Sequence, residues 1–383
     1  MKLLAIDHLA VEESNRALYH CLTQYYDLDL TLLVPKYWRE NYSDLSVNEN
    51  EANGKVNLVV GGNAFKGRPQ LMFYWSGLAR CLKEKPDMIY INSEPENVLS
   101  TQVIVLAKLY TSDSKIVCVT WRNIPFTREY FPYKFASLHR FLEKIAFRYT
   151  DACRAFNEDG RICLLNAGYK REIRLIQWGV DQTLFVRRNA DELKAKLNLS
   201  PFVIGYIGRF VSPKGIDLLI EAVATLKDRS VSLLLIGNGP EKQNLLKLVA
   251  DCGLDKETVI VETVSYDEVP EYLSCMDVLV LPSRTTLTWK EQFGRVLIES
   301  MACGTCVIGS DSGEIPNVVG DAGLVFKEGN VADLRDKILK ILTSDALKNE
   351  LVEKGMQRVS MVYSWPAIAD SLRRFFFDLV QKR

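Results

Sequence analysis

The sequence has no charge of one sign to spare: 48 Lys+Arg meet 48 Asp+Glu over 383 residues, for a formal net charge of zero. A dedicated nucleic-acid binder carries a basic excess, so nucleic acid is not expected as a partner. Histidine is scarce, with three residues. No spacing among His8, His20 and His139 makes a metal site, so no metal is expected. The nine cysteines are an odd number, scattered and mostly set in apolar runs. That is the usage of small core residues in a reducing compartment. Cys303 and Cys306 have C-x-x-C spacing, but no second Cys or His pair follows, which disfavours zinc or redox chemistry. No apolar stretch approaches the ~18 residues that span a bilayer. The start MKLLAIDHLAVEES places acidic residues directly after a short apolar run, unlike a signal peptide. A cytoplasmic location is the expectation.

What is present is an ordinary globular composition, 48% hydrophobic and 25% charged. At roughly 100–200 residues per domain, the length suggests two domains. Strand-like runs lie at Leu3–Asp7, Leu30–Val34, Val56–Val60, Asp87–Ile91, Lys115–Thr120 and Ile173–Ile176. Helical periodicity fills Pro69–Lys85, Val98–Tyr110 and Phe135–Tyr149 between them. Continuous Val/Ile/Leu runs, rather than alternating ones, indicate parallel strands buried on both faces. After the polar segment Val180–Ser200 the series begins again, with strands at 202–208, 231–237, 258–262, 277–282 and 305–310. Helices follow at Val331–Leu342, Asp345–Val362 and Trp365–Gln381. The expected fold is α/β, with two Rossmann-like doubly wound domains over 1–180 and 181–364, and a helix at 365–383. Ligands of such sheets sit at the carboxyl ends of strands, so a cleft between two facing domains is the default site.

Three segments carry chemistry. Gly205-Tyr-Ile-Gly208-Arg209-Phe-Val-Ser-Pro213-Lys214-Gly215 is a buried strand, a glycine turn bearing Arg, then Lys at the threshold of a helix. Two cations beside a helix start suit a diphosphate leaving group, although alone R-x-x-x-x-K fits a solvated loop better. In Ile236-Gly237-Asn238-Gly239-Pro240-Glu-Lys242, Lys242 stands where a dinucleotide fingerprint needs its third glycine. A nicotinamide cofactor is therefore disfavoured, while the turn still allows backbone to approach a nucleotide. The third is Glu291-Gln292-Phe293-Gly294-Arg295-Val296-Leu297-Ile298-Glu299. With a helix beginning near Phe293, Glu299 lies ~12 Å of helix contour beyond Glu291. That spacing suits one ligand held at both ends, a hexose at Glu291 and a ribose at Glu299, with the Gln292–Arg295 amides between. The spacing alone fits an amphipathic helix with two exposed Glu better.

The order of R-x-x-x-x-K, the G-x-G-P turn and the paired Glu resembles the nucleotide-binding half of family 4 glycosyltransferases, which have the GT-B fold. The resemblance is close from about Phe202 to Phe326 and includes MACGTCVIGSDSGEIPNVVGDAGLVF. It implies a retaining, metal-independent enzyme with no cofactor. Such an enzyme takes a sugar from a nucleotide-diphosphate sugar to a glycan, lipid-linked or small-molecule acceptor, as in polysaccharide biosynthesis. By that resemblance Arg209, Lys214 and Glu291 are catalytic. Donor binding falls to Gly208, Gly239, Val264, Gln292, Phe293, Gly294, Arg295, Val296 and Glu299. The C-terminal helix would cross back to the first domain. In the first half, Ile173–Phe185 is similar to the family's strand into G-V-D…F. The glycine-rich turn after the first strand is absent, and Trp121-Arg122-Asn123 stands where many members have His. His8, Trp121, Arg122 and Asn123 are thus the candidates for the acceptor side. The alternatives are a GT-B sugar-nucleotide 2-epimerase and a non-catalytic nucleotide-sugar-binding protein.

The neutral total conceals polarity. Residues 1–180 are net +3 and 181–383 net −3, and residues 115–174 alone are net +6. Arg128, Lys134, Arg140, Lys144 and Arg148 lie beside Tyr130, Phe131, Tyr133 and Phe135. A basic, aromatic surface over 128–148 is a candidate for peripheral contact with an anionic membrane at its inner face, against the commoner alternative of a solvated helix face.

Overall fold

A computed structural model describes residues 1–40, 43–47, 56–127, 131–226 and 230–382. The chain forms two compact units, Met1–Gly179 with Trp365–Arg383, and Val180–Ser364.

The first unit contains β1 (Lys2–Asp7), β2 (Asp29–Pro35), β3 (Tyr37–Glu40), β4 (Ser43–Ser46), β5 (Asn57–Gly61), β6 (Asn63–Ala64), β7 (Phe73–Tyr74), β8 (Met88–Asn92), β9 (Lys115–Thr120), β10 (Ala152–Ala155) and β11 (Glu172–Leu175). Seven of these make one sheet in the order β11-β10-β9-β8-β1-β2-β5. Its pairings are parallel, and the small β3–β4 and β6–β7 pairs are antiparallel. The central strands β1, β8 and β9 are almost continuously apolar and buried, as expected of parallel strands covered on both faces. The helices are α1 (Ala17–Leu22), α2 (Leu78–Lys83), α3 (Val98–Tyr110), α4 (Ala136–Tyr149) and α5 (Glu158–Asn166).

Pro69–Lys85 is not one helix: it holds β7 and the short α2. Gly77, at φ +87, sits between them and cannot belong to a right-handed helix.

The second unit repeats the design with α6 (Asp191–Lys196), β12 (Phe202–Ile207), α7 (Ile216–Ala224), β13 (Val231–Ile236), α8 (Lys242–Asp251), β14 (Thr258–Val261), α9 (Val269–Cys275), β15 (Val278–Leu281), α10 (Arg295–Ala302), β16 (Cys306–Ser310), α11 (Ile315–Val319), β17 (Leu324–Phe326), α12 (Val331–Leu342) and α13 (Asp345–Arg358). Its parallel sheet runs β14-β13-β12-β15-β16-β17. The strand order reverses between β12 and β15, and ligands of doubly wound sheets bind beyond the carboxyl ends at that point. In the first unit the equivalent reversal lies between β1 and β8.

After α13 the chain makes a π turn at Val359–Tyr363, so this helix ends earlier than its periodicity suggests. Helix α14 (Trp365–Gln381) then joins the first unit. Its Ile368, Ala369, Leu372, Phe375, Phe376 and Leu379 are buried in that unit's core. Among the described residues no helix is long and apolar enough to cross a membrane.

Candidate active site

The strand reversal in the second unit brings two distant segments together. After β12 the chain turns through Gly208 and Arg209 to a short 3-10 turn at Ser212–Lys214, and α7 begins at Ile216. Gly215 between them has φ +65, and a Cβ there would lie 2.1 Å from the Pro282 carbonyl oxygen. Only glycine permits this approach, which sets Lys214 against the loop that follows β15. Lys214 Nζ lies 2.6 Å from Glu291 Oε2 and 5.2 Å from the centre of the Trp289 ring. The wholly buried Ser283 donates its hydroxyl to the same Oε2 at 2.8 Å. Two donors therefore fix one oxygen of a buried carboxylate.

The Glu291 backbone is fixed as well. Glu314 N–H donates to its carbonyl at 3.2 Å, and Gly313 (φ +54) sits so close that a Cβ would be 2.0 Å from that oxygen. Ser310 Oγ donates to the Ser283 carbonyl at 2.5 Å. The turn after β16 thus buttresses the loop after β15. Arg209 is exposed at the rim, where the Tyr206 hydroxyl donates to its carbonyl. Gly208 and Gly239 occupy adjoining turns tied through Phe210, whose N–H donates to Asn238 O at 2.9 Å and whose carbonyl accepts from Glu241 N at 3.0 Å.

Helix α10 begins at Arg295, two residues later than the spacing predicts, because Gly294 has φ +80. The amides at the helix start are consequently those of Arg295 and Val296, not Gln292 and Phe293. Phe293 is instead a buried anchor, edge-on to Tyr363 at 5.8 Å, while Gln292 is exposed. Glu299, in the second turn of α10, is buried, and burial raises its carboxyl above the usual range despite the neighbouring Arg295. Arg295 Nη2 donates to Glu299 Oε1 at 3.5 Å and to the Tyr266 hydroxyl at 3.2 Å. Val264 is half-buried in the loop after β14, which ends at Val261, one residue short of Glu262. Cys303 and Cys306 are buried and free, each thiol pushed up to about 12 by burial.

In the first unit the carboxyl ends of β1, β8 and β9 carry a second concentration of polar groups. His8 lies 4.7 Å from the Trp38 ring, and burial lowers its imidazole. Trp121 stacks on Phe156 at 3.4 Å. Asn123 is buried. Arg122 is turned inward: its guanidinium is 2.7 Å from Glu96 and 2.8 Å from Glu143, and its charge is committed to them. His139 is also internal, with Nδ1 2.9 Å from the Glu96 carbonyl.

The sequence reading missed Glu94 here. Its Oε1 accepts the backbone N–H groups of Trp121 (2.5 Å) and Arg122 (3.1 Å). Its Oε2 is enclosed with no hydrogen-bond partner among the described residues, though the residue as a whole is only half-buried. Burial first, and the Glu96 charge second, push this carboxyl up to about 8. Ser283 follows Pro282 in the sequence, and no pattern there shows what its hydroxyl holds.

Residues 187–358 match the profile of the family described as Glycosyl transferases group 1. The second unit belongs to that family. Among curated relatives, the glycosyltransferase LpsE of lipopolysaccharide core biosynthesis from Rhizobium meliloti is 34% identical over 233 residues, 59% of this chain and 64% of that protein. N-acetyl-alpha-D-glucosaminyl L-malate synthase from Bacillus anthracis is 26% identical over 216 residues, 55% of each chain. These matches span between about half and two thirds of the relatives' own lengths. Among solved structures, Anabaena Alr3699/HepE in complex with UDP superposes with a TM-score of 0.72 at 18% identity, covering 99% of this chain and 100% of that one. At that identity the likeness shows the fold alone: two Rossmann-like units of the GT-B class.

Proposed function

We propose that the chain is a glycosyltransferase that moves a sugar from a nucleotide-diphosphate sugar to an acceptor. The observation that carries this reading is the convergence of Lys214, Ser283 and Glu291 at the strand reversal of a group 1 unit. Lys214 and Arg209 supply positive charge for a departing diphosphate, whose charge grows as the glycosidic bond breaks. Glu291 accepts hydrogen bonds from donor-sugar hydroxyls, and Glu299 accepts them from the ribose diol. The transfer retains anomeric configuration and uses no metal, the departing phosphate taking the acceptor's proton. The acceptor is a glycan, a lipid-linked sugar or a small molecule.

The reading includes a cytoplasmic enzyme that touches an anionic membrane through α4. Of the segment 128–148, Arg128 and Tyr130 lie outside the described residues. Phe135 (62%), Leu138 (44%) and Phe141 (60%) are exposed together with Lys134, Arg140, Lys144 and Arg148.

A thermal-shift panel of UDP, GDP and ADP tests the assignment, since a ligand that binds only the folded state raises its stability. Glu299→Ala should weaken the nucleotide's shift, and Glu291→Ala should spare it while depressing sugar transfer. Unchanged binding and turnover in both variants refute the site. Incubating donor without acceptor, followed by NMR, separates this reading from a 2-epimerase, which would convert the sugar.

A further inference from the structure

The segment between β5 and α2 presents an aromatic surface that the donor site does not use. Trp75 is 65% exposed, although it lies beside β7 in a tightly fastened stretch of chain. Its backbone N–H donates to the Gly62 carbonyl at 2.9 Å, and Gly62 N–H donates to Ser76 Oγ at 2.9 Å. Gln102 of α3 clamps the preceding residue from both sides: its Oε1 accepts from Tyr74 N at 2.9 Å, and its Nε2 donates to Tyr74 O at 2.5 Å. The indole edge rests on a glycine shelf. A Cβ at Gly62 would lie 2.3 Å from Trp75 Nε1 and 2.8 Å from Cε2. The backbone that carries the ring is therefore fixed, one indole edge lies against Gly62, and most of the ring's surface faces outward, which lowers the conformational cost to a ligand.

Its placement is informative. The segment leaves the carboxyl end of β5 and reaches the start of α3, where Val98 N–H donates to the Gln70 carbonyl at 3.2 Å. That start directly follows Glu94–Asn97 at the strand reversal of the first unit, the ligand side of a doubly wound sheet. The other exposed residues of the segment are mixed, with Phe65 (50% exposed), Lys66, Arg68 and Ser76. A sugar ring has the matching chemistry: a face of C–H bonds for the indole and hydroxyls at the rim for hydroxyl and cationic groups.

We propose that Trp75 is a stacking platform for a sugar ring of the acceptor, positioned by Gly62 and Gln102. This rests on the glycosyltransferase reading and makes the acceptor a saccharide or a molecule carrying one.

Saturation-transfer difference NMR with methyl glycosides of glucose, galactose, mannose and N-acetylglucosamine tests it, with binding of UDP, GDP or ADP to the other unit as the control. The wild type should transfer saturation to the ring protons of at least one glycoside. Trp75→Ala should weaken that binding about ten-fold, the scale of losing an aromatic stacking surface, and Trp75→Phe should restore part of it. Gly62→Ala, which keeps the indole but displaces it, should lose binding as well. Nucleotide binding should persist in each variant as evidence of folding. If the wild type binds nucleotide but no glycoside, or if Trp75→Ala binds glycoside as the wild type does, the platform is overturned and the donor reading survives. If the wild type binds none of the nucleotides, the glycosyltransferase reading falls and the acceptor role of the platform falls with it, whether or not a Trp75-dependent glycoside signal is seen.

Discussion

Replacing Glu94 with Gln should stabilise the protein, and the gain should grow with pH. The carboxyl stands at about 8 in the folded chain against an ordinary value of 4.5. An acid whose folded value is raised holds a proton that the unfolded chain gives up. Its contribution is therefore harmless below the ordinary value, worsens as pH climbs through the interval, and is fully unfavourable above about 8. At neutral pH the gap is ~2.5 pH units, or about 3 kcal/mol as a ceiling. At about pH 5 it is under about 1 kcal/mol.

The groups around Glu94 set the sign. Burial and the Glu96 charge oppose ionisation, while Arg122 and the Trp121 N–H favour it without prevailing. Glutamine keeps the acceptor for the Trp121 and Arg122 amides and has no proton to lose. Urea unfolding followed by tryptophan fluorescence suits the measurement. Trp38, Trp75, Trp121, Trp178 and Trp365 all lie in the first unit, and Trp289 alone is in the second. A Glu94→Gln protein no more stable than wild type at neutral pH, or one with the same gain at about pH 5, would refute the reasoning.

Three further outcomes are expected. Ser283→Ala removes one of two donors to Glu291 Oε2, a charge-assisted bond of about 1.5–3 kcal/mol. Donor turnover should fall at least ~10-fold while nucleoside diphosphate affinity holds, read by kinetics beside calorimetry. Gly215→Ala forces a Cβ to 2.1 Å from a backbone oxygen at φ +65. It should cost about 2 kcal/mol or more, seen as a lower melting temperature of the second unit by calorimetry. Paired Lys144→Glu and Arg148→Glu changes on α4 should abolish co-sedimentation with anionic liposomes at low salt, and absence of wild-type sedimentation would remove the membrane idea.

Much of the architecture is legible because buried parallel strands must be continuously apolar. Lys115–Thr120, Val98–Tyr110, Val331–Leu342 and Trp365–Gln381 end in the structure where their patterns end in the sequence. β10, Ala-Cys-Arg-Ala, was invisible: it is four residues with a central Arg and no β-branched side chain. Its strand state comes from pairing with β9 and β11, and Arg154 is accommodated by the carbonyls of Ile176 and Gln177 and the Tyr90 hydroxyl. The same limit applies to the sites. Glu291 and Lys214 carry a spacing that can be read, whereas Glu94 owes its chemistry to β8 lying beside β9. Trp75 lays its indole edge against Gly62, a glycine that follows another element. Such facts belong to topology, and no local window contains them.

Helix α14 has a consequence for the order in which this protein is made. The first unit is assembled from two stretches separated by the whole of the second, and the later stretch supplies Leu372, Phe375 and Phe376 to its interior. During translation the first unit emerges without its closing helix. The second unit, continuous in sequence, is free to settle before the earlier one is sealed. The usual order, in which N-terminal domains finish first, is not open to the first unit, whose core includes residues of α14. A chain interrupted before residue 365 would leave its beginning, and not only its end, unfinished.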